Sequence, residues 1–457
     1  MSKAYEMLSH RVEKLNGFYL VTNDFGGFVL LDSKEFDRFR QGLLDEKLYN
    51  SLEEGGLLVT NYNKQDIVNM YRYHKKHLFQ GPSLHIVIPT KRCSQNCVYC
   101  HSPTVPADRA GFDMTIKTAK QVVDFIFQSP SGFITIEFQG GEPLLNFDVV
   151  KYIVTYAKEV NKKRGKILKF TIVTNLVHMD SEKLDFMVAN EVWPCTSLDG
   201  PEVLHNKNRG NGYSALKRWI PILQKRLKYR LSGIAVVTKH SLKYPKEIVD
   251  EYLKFGFTRL WVQPFHPLGR GKKNYKELRF SVEEYIKFWK ALLDYIVKEK
   301  KKIHEVETTF LVRKSIFGEN PLFLDLQSPC GAVINQLTYD YNGDIYTCDE
   351  GRMVEEDLFK IGHVTQAYED VVNSGGVCSI IKLSLNDTLA SCNRCAFKPF
   401  CGVCPVLTYG EFGTPIPRAN TFWCKLRKAQ FRFIFEAYFN DRNYRRIFQK
   451  WAKTKDL

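Results

Sequence analysis

No run in this 457-residue sequence reaches the ~18 uncharged apolar residues that a membrane-spanning helix needs. The opening MSKAYEMLSHRVEK also lacks the apolar core of a secretory signal, so a cytoplasmic protein is expected. Internal repeats and low-complexity tracts are missing, and the composition excludes collagen-like chains and wholesale disorder. Acidic residues are the scarcer charge. Fifty Asp and Glu against 66 Lys and Arg leave a net +16, which attracts nucleic acid, anionic lipid or an acidic peptide without choosing among them. No cysteine lies between Cys195 and Cys330, so most of the twelve fall into two separate groups.

The length is about three times the ~150-residue prior for one domain, so two or three folded units are expected. Residues 1–80 carry GFYLVTNDFGGFVLLD, two apolar runs around Asn23-Asp24-Phe25-Gly26-Gly27, which predicts a hairpin. Ser33 is placed to cap a helix over SKEFDRFRQGLLD. A second short helix runs from Lys47 to Glu54, before Gly55-Gly56 and LLVT. Strands followed by helices and a short strand suggest a winged-helix-like module. From Leu84 to about Lys300, short apolar runs alternate with amphipathic stretches, the signature of βα units and a parallel sheet. Six strands are predicted: LHIVIP, FITIEF, LKFTIVT, VWPCTS, LSGIAVV and RLWVQPF. Six units fit a doubly wound sheet or an incomplete barrel, and periodicity does not decide between them. After Ile303 the rhythm stops, which places a boundary between Lys300 and Pro329. The basic end, 431–457, reads as a helix whose aromatic face carries Phe431, Phe433 and Phe435.

Twelve cysteines in a reducing compartment point to metal or cluster ligation rather than disulfides. Cys93, Cys97 and Cys100 follow the first predicted strand, so three thiolates cluster at its C-terminal end. A structural zinc would want a fourth ligand, and His101 is adjacent. The alternative is a four-iron cluster whose fourth iron stays free. The spacing C-x3-C-x2-C, with Tyr99 before the last Cys, resembles the signature of the radical S-adenosylmethionine (SAM) superfamily. That resemblance implies a [4Fe-4S] cluster that chelates S-adenosylmethionine, and a 5′-deoxyadenosyl radical made by one-electron cleavage of the sulfonium. A partial (β/α)6 barrel is then the expected core, over 81–305.

Polar motifs end the second to fifth predicted strands, where active sites of parallel βα folds sit. Phe138-Gln139-Gly140-Gly141-Glu142-Pro143 follows the second; its glycines let backbone come close to a ligand, and Glu142 can accept from an ammonium. It resembles the family's GGEP motif, which implies contacts from Gly140, Gly141 and Glu142 to the methionine amino group. Thr174-Asn175 follows the third strand, Ser197-Leu198-Asp199 the fourth and Val236-Val237-Thr238 the fifth. The resemblance implies cofactor contacts from Tyr99 and Asn175. It puts Ser197 and Asp199 near the ribose or carboxylate, Val237 near the adenine, and Arg209 or Arg218 on the carboxylate. Cys195, inside the fourth strand, reads as a buried hydrophobe, and Cys378 as an unliganded thiol.

The second group runs Cys330, Cys348, Cys392-x2-Cys395-x5-Cys401-x2-Cys404 and Cys424, seven thiols that need at least two metal centres. A zinc ribbon spaces its paired knuckles ~15 to 20 residues apart, unlike these. The pattern resembles the SPASM extension of peptide-modifying radical SAM enzymes, with one departure, C-x2-C at Cys401–Cys404. The resemblance implies two auxiliary [4Fe-4S] clusters over 325–430. Cys330, Cys348 and Cys404 would hold one, with an open iron or Asp325 as fourth ligand. Cys392, Cys395, Cys401 and Cys424 would hold the other. Asp349 follows Cys348 where sulfatase-maturing relatives carry a proposed base; a solvated turn acid is the other reading.

TNDFGGFVLLDSKEF and the C-G-V-C-P tail are similar to the larger maturase of the His-Xaa-Ser repeat system. That implies a ribosomally made precursor peptide as substrate, an electron donor such as ferredoxin or flavodoxin, and a companion radical SAM maturase. The N-terminal module would recognise the peptide by strand addition, or serve as a structural cap. A sulfatase-maturase-like side-chain oxidase is the alternative. A nucleic-acid modifier is disfavoured by the seven-Cys tail, and no membrane partner is expected.

Overall fold

The computed structural model describes residues 5–228, 230–354 and 356–454. All six predicted strands form: β1 (Leu84–Thr90), β2 (Phe133–Gly140), β3 (Ile167–Thr174), β4 (Val192–Ser197), β5 (Ser232–Val237) and β6 (Arg259–Pro264). Strand β2 shows why. Ile134, Ile136 and Phe138 are fully buried on one face, whereas Glu137 and Gln139 alternate onto the other. There Glu137 accepts from Gln139 and from Thr171 of β3, a polar lining instead of packed aliphatic layers.

The winding separates the two architectures. Strands β1 to β6 stand in sequence order, each parallel to the next. A doubly wound sheet reverses direction midway; this one does not. It is therefore a barrel-type winding, and it stays open because β1 and β6 take other partners. β7 (His304–Glu305) pairs with β6, and β8 (Gln336–Tyr339) runs parallel to β1, with Gln336 opposite Leu84. Antiparallel β9 (Asp344–Tyr346) and β10 (Lys360–His363) complete a ten-stranded sheet. The Cys-rich segment is thus joined to the barrel's first strand through backbone hydrogen bonds.

Ahead of the barrel, Arg11–Leu15, Phe18–Thr22 and Phe28–Leu31 form an antiparallel sheet, one strand more than the expected hairpin. The charges of Arg11, Glu13 and Lys14 hide the extra strand's pattern. Asn23 sets the predicted turn: its side-chain oxygen accepts from Phe25 and Gly27, and its amide donates to the Gly56 carbonyl. The next helix, Ser33–Arg40, is capped by Asp32 rather than Ser33, because Asp32 and Glu35 form a reciprocal capping box. Helices Glu46–Glu54 and Lys64–Lys75 follow. Val21, Val29, Leu31 and Leu52 form a small core of the unit's own. Leu15 and Leu20 join the main core, and Phe28 packs edge-on against Phe435.

The basic end forms two helices, Phe422–Asn440 and Arg442–Ala452, broken at Asp441, which caps the second. Phe431 and Phe435 are fully buried against Phe397 and Phe400. No helix among the described residues is long and apolar enough to cross a membrane.

Candidate active site

The loop after β1 carries Cys93, Cys97 and Cys100, and segments after other strands hold it by its backbone. The Asn208 carbonyl accepts from Val98 N at 2.8 Å. Past β6, Arg270 donates its backbone N–H to the Cys100 carbonyl and its guanidinium to that of Cys97, at 2.8 and 3.0 Å. Asn274 donates to the Val98 carbonyl at 2.7 Å, and His266 N to His101 Nε2 at 2.8 Å. The His101 and His266 rings stack 4.8 Å apart, and Trp423 meets His266 edge-on. His101 therefore serves as a half-buried acceptor. Burial pushes the Cys93 thiol up to about 12 and the Cys97 thiol to about 11, each raised further by the neighbouring thiols.

The two glycines after β2 answer a crowding requirement. A Cβ on Gly140 would lie 2.4 Å from the Thr90 carbonyl oxygen, and one on Gly141 2.1 Å from that of Arg92. They let the end of β2 press on the chain entering the cysteine loop, so the close approach is to backbone. Glu142 is 1% exposed. Its carboxylate accepts from Leu144 N (3.1 Å), Thr174 Oγ1 (2.7 Å) and Asn175 N (2.8 Å). Burial outweighs these donors and raises its pKa to about 7. The Asn175 amide lies 3.8 Å from Cys93 Sγ, so Glu142, Asn175 and Cys93 share one end of the sheet.

Asp199, at the end of β4, is committed internally. Its carboxylate accepts from Tyr99 Oη at 2.8 Å, Arg209 Nε at 2.9 Å, Asn208 Nδ2 at 3.1 Å and Val236 N at 3.2 Å. The Arg209 guanidinium also lies 5.2 Å from the centre of the Tyr99 ring. The structure thus couples Tyr99, Asp199 and Arg209 to one another as a buried lock behind the cysteine loop. Ser197 and Val237 are buried at neighbouring strand ends, whereas Arg218 lies beside Trp219.

The C-terminal thiols fall into two sets by their mutual electrostatic influence. Cys330 feels Cys348, Cys348 feels Cys404, and Cys404 feels Cys330; burial raises all three. Asp325 and Glu350 bear on Cys330 and Cys404 as well. In the other set Cys401 feels Cys392, Cys395 and Cys424, and burial lifts its thiol to about 12. Two sulfurs of the first set sit at helix starts, Cys348 accepting from Gly351 N and Cys404 from Leu407 N. Asp349 is buried and pairs with Arg352 at 2.9 Å, and Arg352 donates onward to Ser102 at 3.0 Å. Cys195 is held within β4, and Cys378 is exposed on Gly375–Leu383.

Residues 87–259 match the model of the radical SAM superfamily. The chain carries a radical SAM domain. A [4Fe-4S] cluster and S-adenosylmethionine go with that domain, and the chain is an enzyme. The chain is 23% identical to a cysteine-type anaerobic sulfatase-maturating enzyme of Clostridium novyi, over 68% of this chain and 84% of the relative. It is similar in structure to native anSMEcpe with bound AdoMet, with TM-score 0.67 and 19% identity over 80% of this chain and 99% of that one. It also resembles SuiB of Streptococcus suis bound to S-adenosylmethionine, with TM-score 0.58 and 16% identity over 91% and 98%. These likenesses show the fold, an open barrel with appended elements.

The residues present suit the domain's cofactors. Three thiols on one loop are an incomplete set for a cubane and leave one iron for another ligand. Among the described residues no three His, Cys, Asp or Glu side chains group closely enough to hold a single metal ion. The sequence signals missed His266 and Arg270, which clamp the loop, and Glu137, whose alternation within β2 was the available clue.

Proposed function

We propose that this radical SAM enzyme cleaves S-adenosylmethionine at the Cys93, Cys97 and Cys100 loop and modifies a ribosomally made peptide. The observation that carries it is the convergence of Cys93, Asn175 and buried Glu142 at the C-terminal end of the parallel strands. When bound, the cluster and S-adenosylmethionine supply an electron and a 5′-deoxyadenosyl radical that abstracts hydrogen. The three thiols would hold the cluster, Glu142 would accept from the methionine ammonium, and Asn175, bonded to Glu142 and 3.8 Å from Cys93, links the two. Ser197 and Val237 would border the nucleoside, and the Tyr99–Asp199–Arg209 lock would keep the loop rigid.

The C-terminal thiols support a SPASM-type region over 325–430 with two auxiliary [4Fe-4S] clusters. Cys330, Cys348 and Cys404 would hold one, and Cys392, Cys395, Cys401 and Cys424 the other. The two electrostatic sets support this partition. Asp349 would take a proton from substrate; its pairing with Arg352, which reaches Ser102 beside the first thiol loop, supports that role. The N-terminal unit, 1–80, would recognise the peptide. A precursor with His-Xaa-Ser repeats, a companion maturase, and a ferredoxin or flavodoxin donor follow from the sequence resemblance. A sulfatase-type side-chain oxidase is the second reading, favoured by the Clostridium novyi relative.

Mass spectrometry tests the proposal. Cluster-loaded enzyme, S-adenosylmethionine and dithionite are incubated with a His-Xaa-Ser repeat peptide or a cysteine-bearing sulfatase-motif peptide. A mass change in the first supports the leading reading, and in the second alone the oxidase. Unchanged masses beside abundant 5′-deoxyadenosine would contradict both substrate assignments.

A further inference from the structure

A polar cavity of about 310 Å³ lies where the N-terminal unit, the helix Val306–Ser315 and the Cys-rich region meet. Three lysines line it, Lys75, Lys314 and Lys398. Lys398 is neutralised by two carboxylates, Asp24 at 3.1 Å and Asp387 at 2.5 Å. Among the described residues Lys75 donates only to the Ser328 carbonyl, at 2.6 Å. Lys314 is 7% exposed and has no hydrogen-bond or carboxylate partner among the described residues. His74 and His77 also line the cavity, each with a buried Nε2 that has no partner, and so does Gln327, whose amide is wholly unpartnered at 1% exposure. Two lysines with no carboxylate in ion-pair contact among the described residues, beside orphaned polar atoms, form a site short of one acceptor-rich group, because buried charges and amides are otherwise paired.

We propose that this cavity binds an oxyanion, in the first instance the side-chain carboxylate of an acidic residue in the peptide substrate, between Lys75 and Lys314. One observation points to a peptide source. Phe25 and Tyr71, in edge contact at 5.1 Å, line the same cavity and offer apolar surface to a neighbouring residue. The volume also admits a glutamate side chain. The inference rests on the peptide-modifying reading. It names a substrate feature, a carboxylate anchored at the seam between the N-terminal unit and the Cys401 set.

The test is direct binding to the cluster-loaded full chain. Fluorescein-labelled hexaglutamate is titrated by anisotropy, with hexaglutamine and inorganic phosphate as competitors. Hexaglutamate should bind, and Lys75→Met and Lys314→Met should each weaken it about tenfold or more, as for loss of a charge-assisted hydrogen bond. Lys314→Arg should retain it, and Lys117→Met on the exposed face of another helix should change nothing. Displacement by phosphate at millimolar concentration assigns the site to a free oxyanion; resistance to phosphate assigns it to the peptide carboxylate. If Lys314→Met does not fold, reductive methylation of wild-type Lys75 replaces it, and hexaglutamate should slow that reaction severalfold. Equal binding by wild type and both Met variants, or unslowed methylation, would overturn the proposal. 5′-Deoxyadenosine formation, read separately, reports on the radical chemistry whatever this site does.

Discussion

Replacing Glu142 by Gln alters the proposed ammonium site without removing its shape. Glu142 is 1% exposed and surrounded by three donors, yet burial holds its pKa at about 7 in the cofactor-free protein. A protonated carboxyl is a poor partner for an ammonium, so S-adenosylmethionine should bind more tightly as pH rises to 7 and level off above it. Below 7 the dissociation constant should rise about tenfold per pH unit, hence ~30-fold between pH 8 and 5.5. In Glu142→Gln the charge-assisted bond is lost. The new amide also sets an N–H against either Asn175 N or Leu144 N, because both carboxylate oxygens accept backbone donors. A loss of ~1.5–3 kcal/mol is expected, about 10- to 100-fold weaker binding at pH 8, with a flat pH profile. Stability should move the other way. The folded-state pKa lies above the unfolded value, so the folded protein holds the extra proton between pH 4.5 and 7. Its stability relative to the variant should therefore fall by up to about 3 kcal/mol as pH rises through that window. Equilibrium binding on anaerobic cluster-loaded protein and chemical denaturation at matched pH measure both. A variant that binds S-adenosylmethionine as tightly as wild type, with the same pH profile, would refute the role.

Gly141→Ala should displace the cysteine loop, because its Cβ would sit 2.1 Å from the Arg92 carbonyl oxygen; iron analysis should show about four irons lost, and Gly132→Ala, with open space around it, none. Asp349→Asn should keep S-adenosylmethionine cleavage within about threefold while slowing peptide modification about a hundredfold, in line with loss of a general base; equal loss of both activities would make it structural. Replacing Cys392 and Cys395 by Ala should remove about four irons and abolish modification while sparing uncoupled cleavage. Unchanged iron content in that variant would reject the third thiol set.

The six barrel strands were legible because each is an apolar run of six to eight residues followed by an amphipathic stretch, and four of them end in a polar motif. It missed β7 to β10, of two to four residues each, which are too short to carry a period and gain their place from backbone pairing with β6 and β1. Winding direction was equally hidden, since the order of strands in space is set by tertiary packing. Among site residues, thiol spacing is written along the chain and was legible. The commitment of Asp199 to Tyr99 and Arg209 was not, because the contact with Tyr99 spans a hundred residues. The Gly140–Gly141 pair was found by its motif, but its physical reason, carbonyl oxygens of Thr90 and Arg92 where a Cβ would be, is a tertiary fact.

The central claim is that the Cys93, Cys97 and Cys100 loop holds the cluster that breaks S-adenosylmethionine. Anaerobically reconstituted wild type and the variant with all three replaced by Ala are reduced with dithionite in the presence of S-adenosylmethionine, and 5′-deoxyadenosine is quantified by liquid chromatography. Wild type should produce it with methionine in equal amount, and the variant should produce none while keeping the iron of the other seven thiols. 5′-Deoxyadenosine from the variant at a rate near that of wild type would contradict the account.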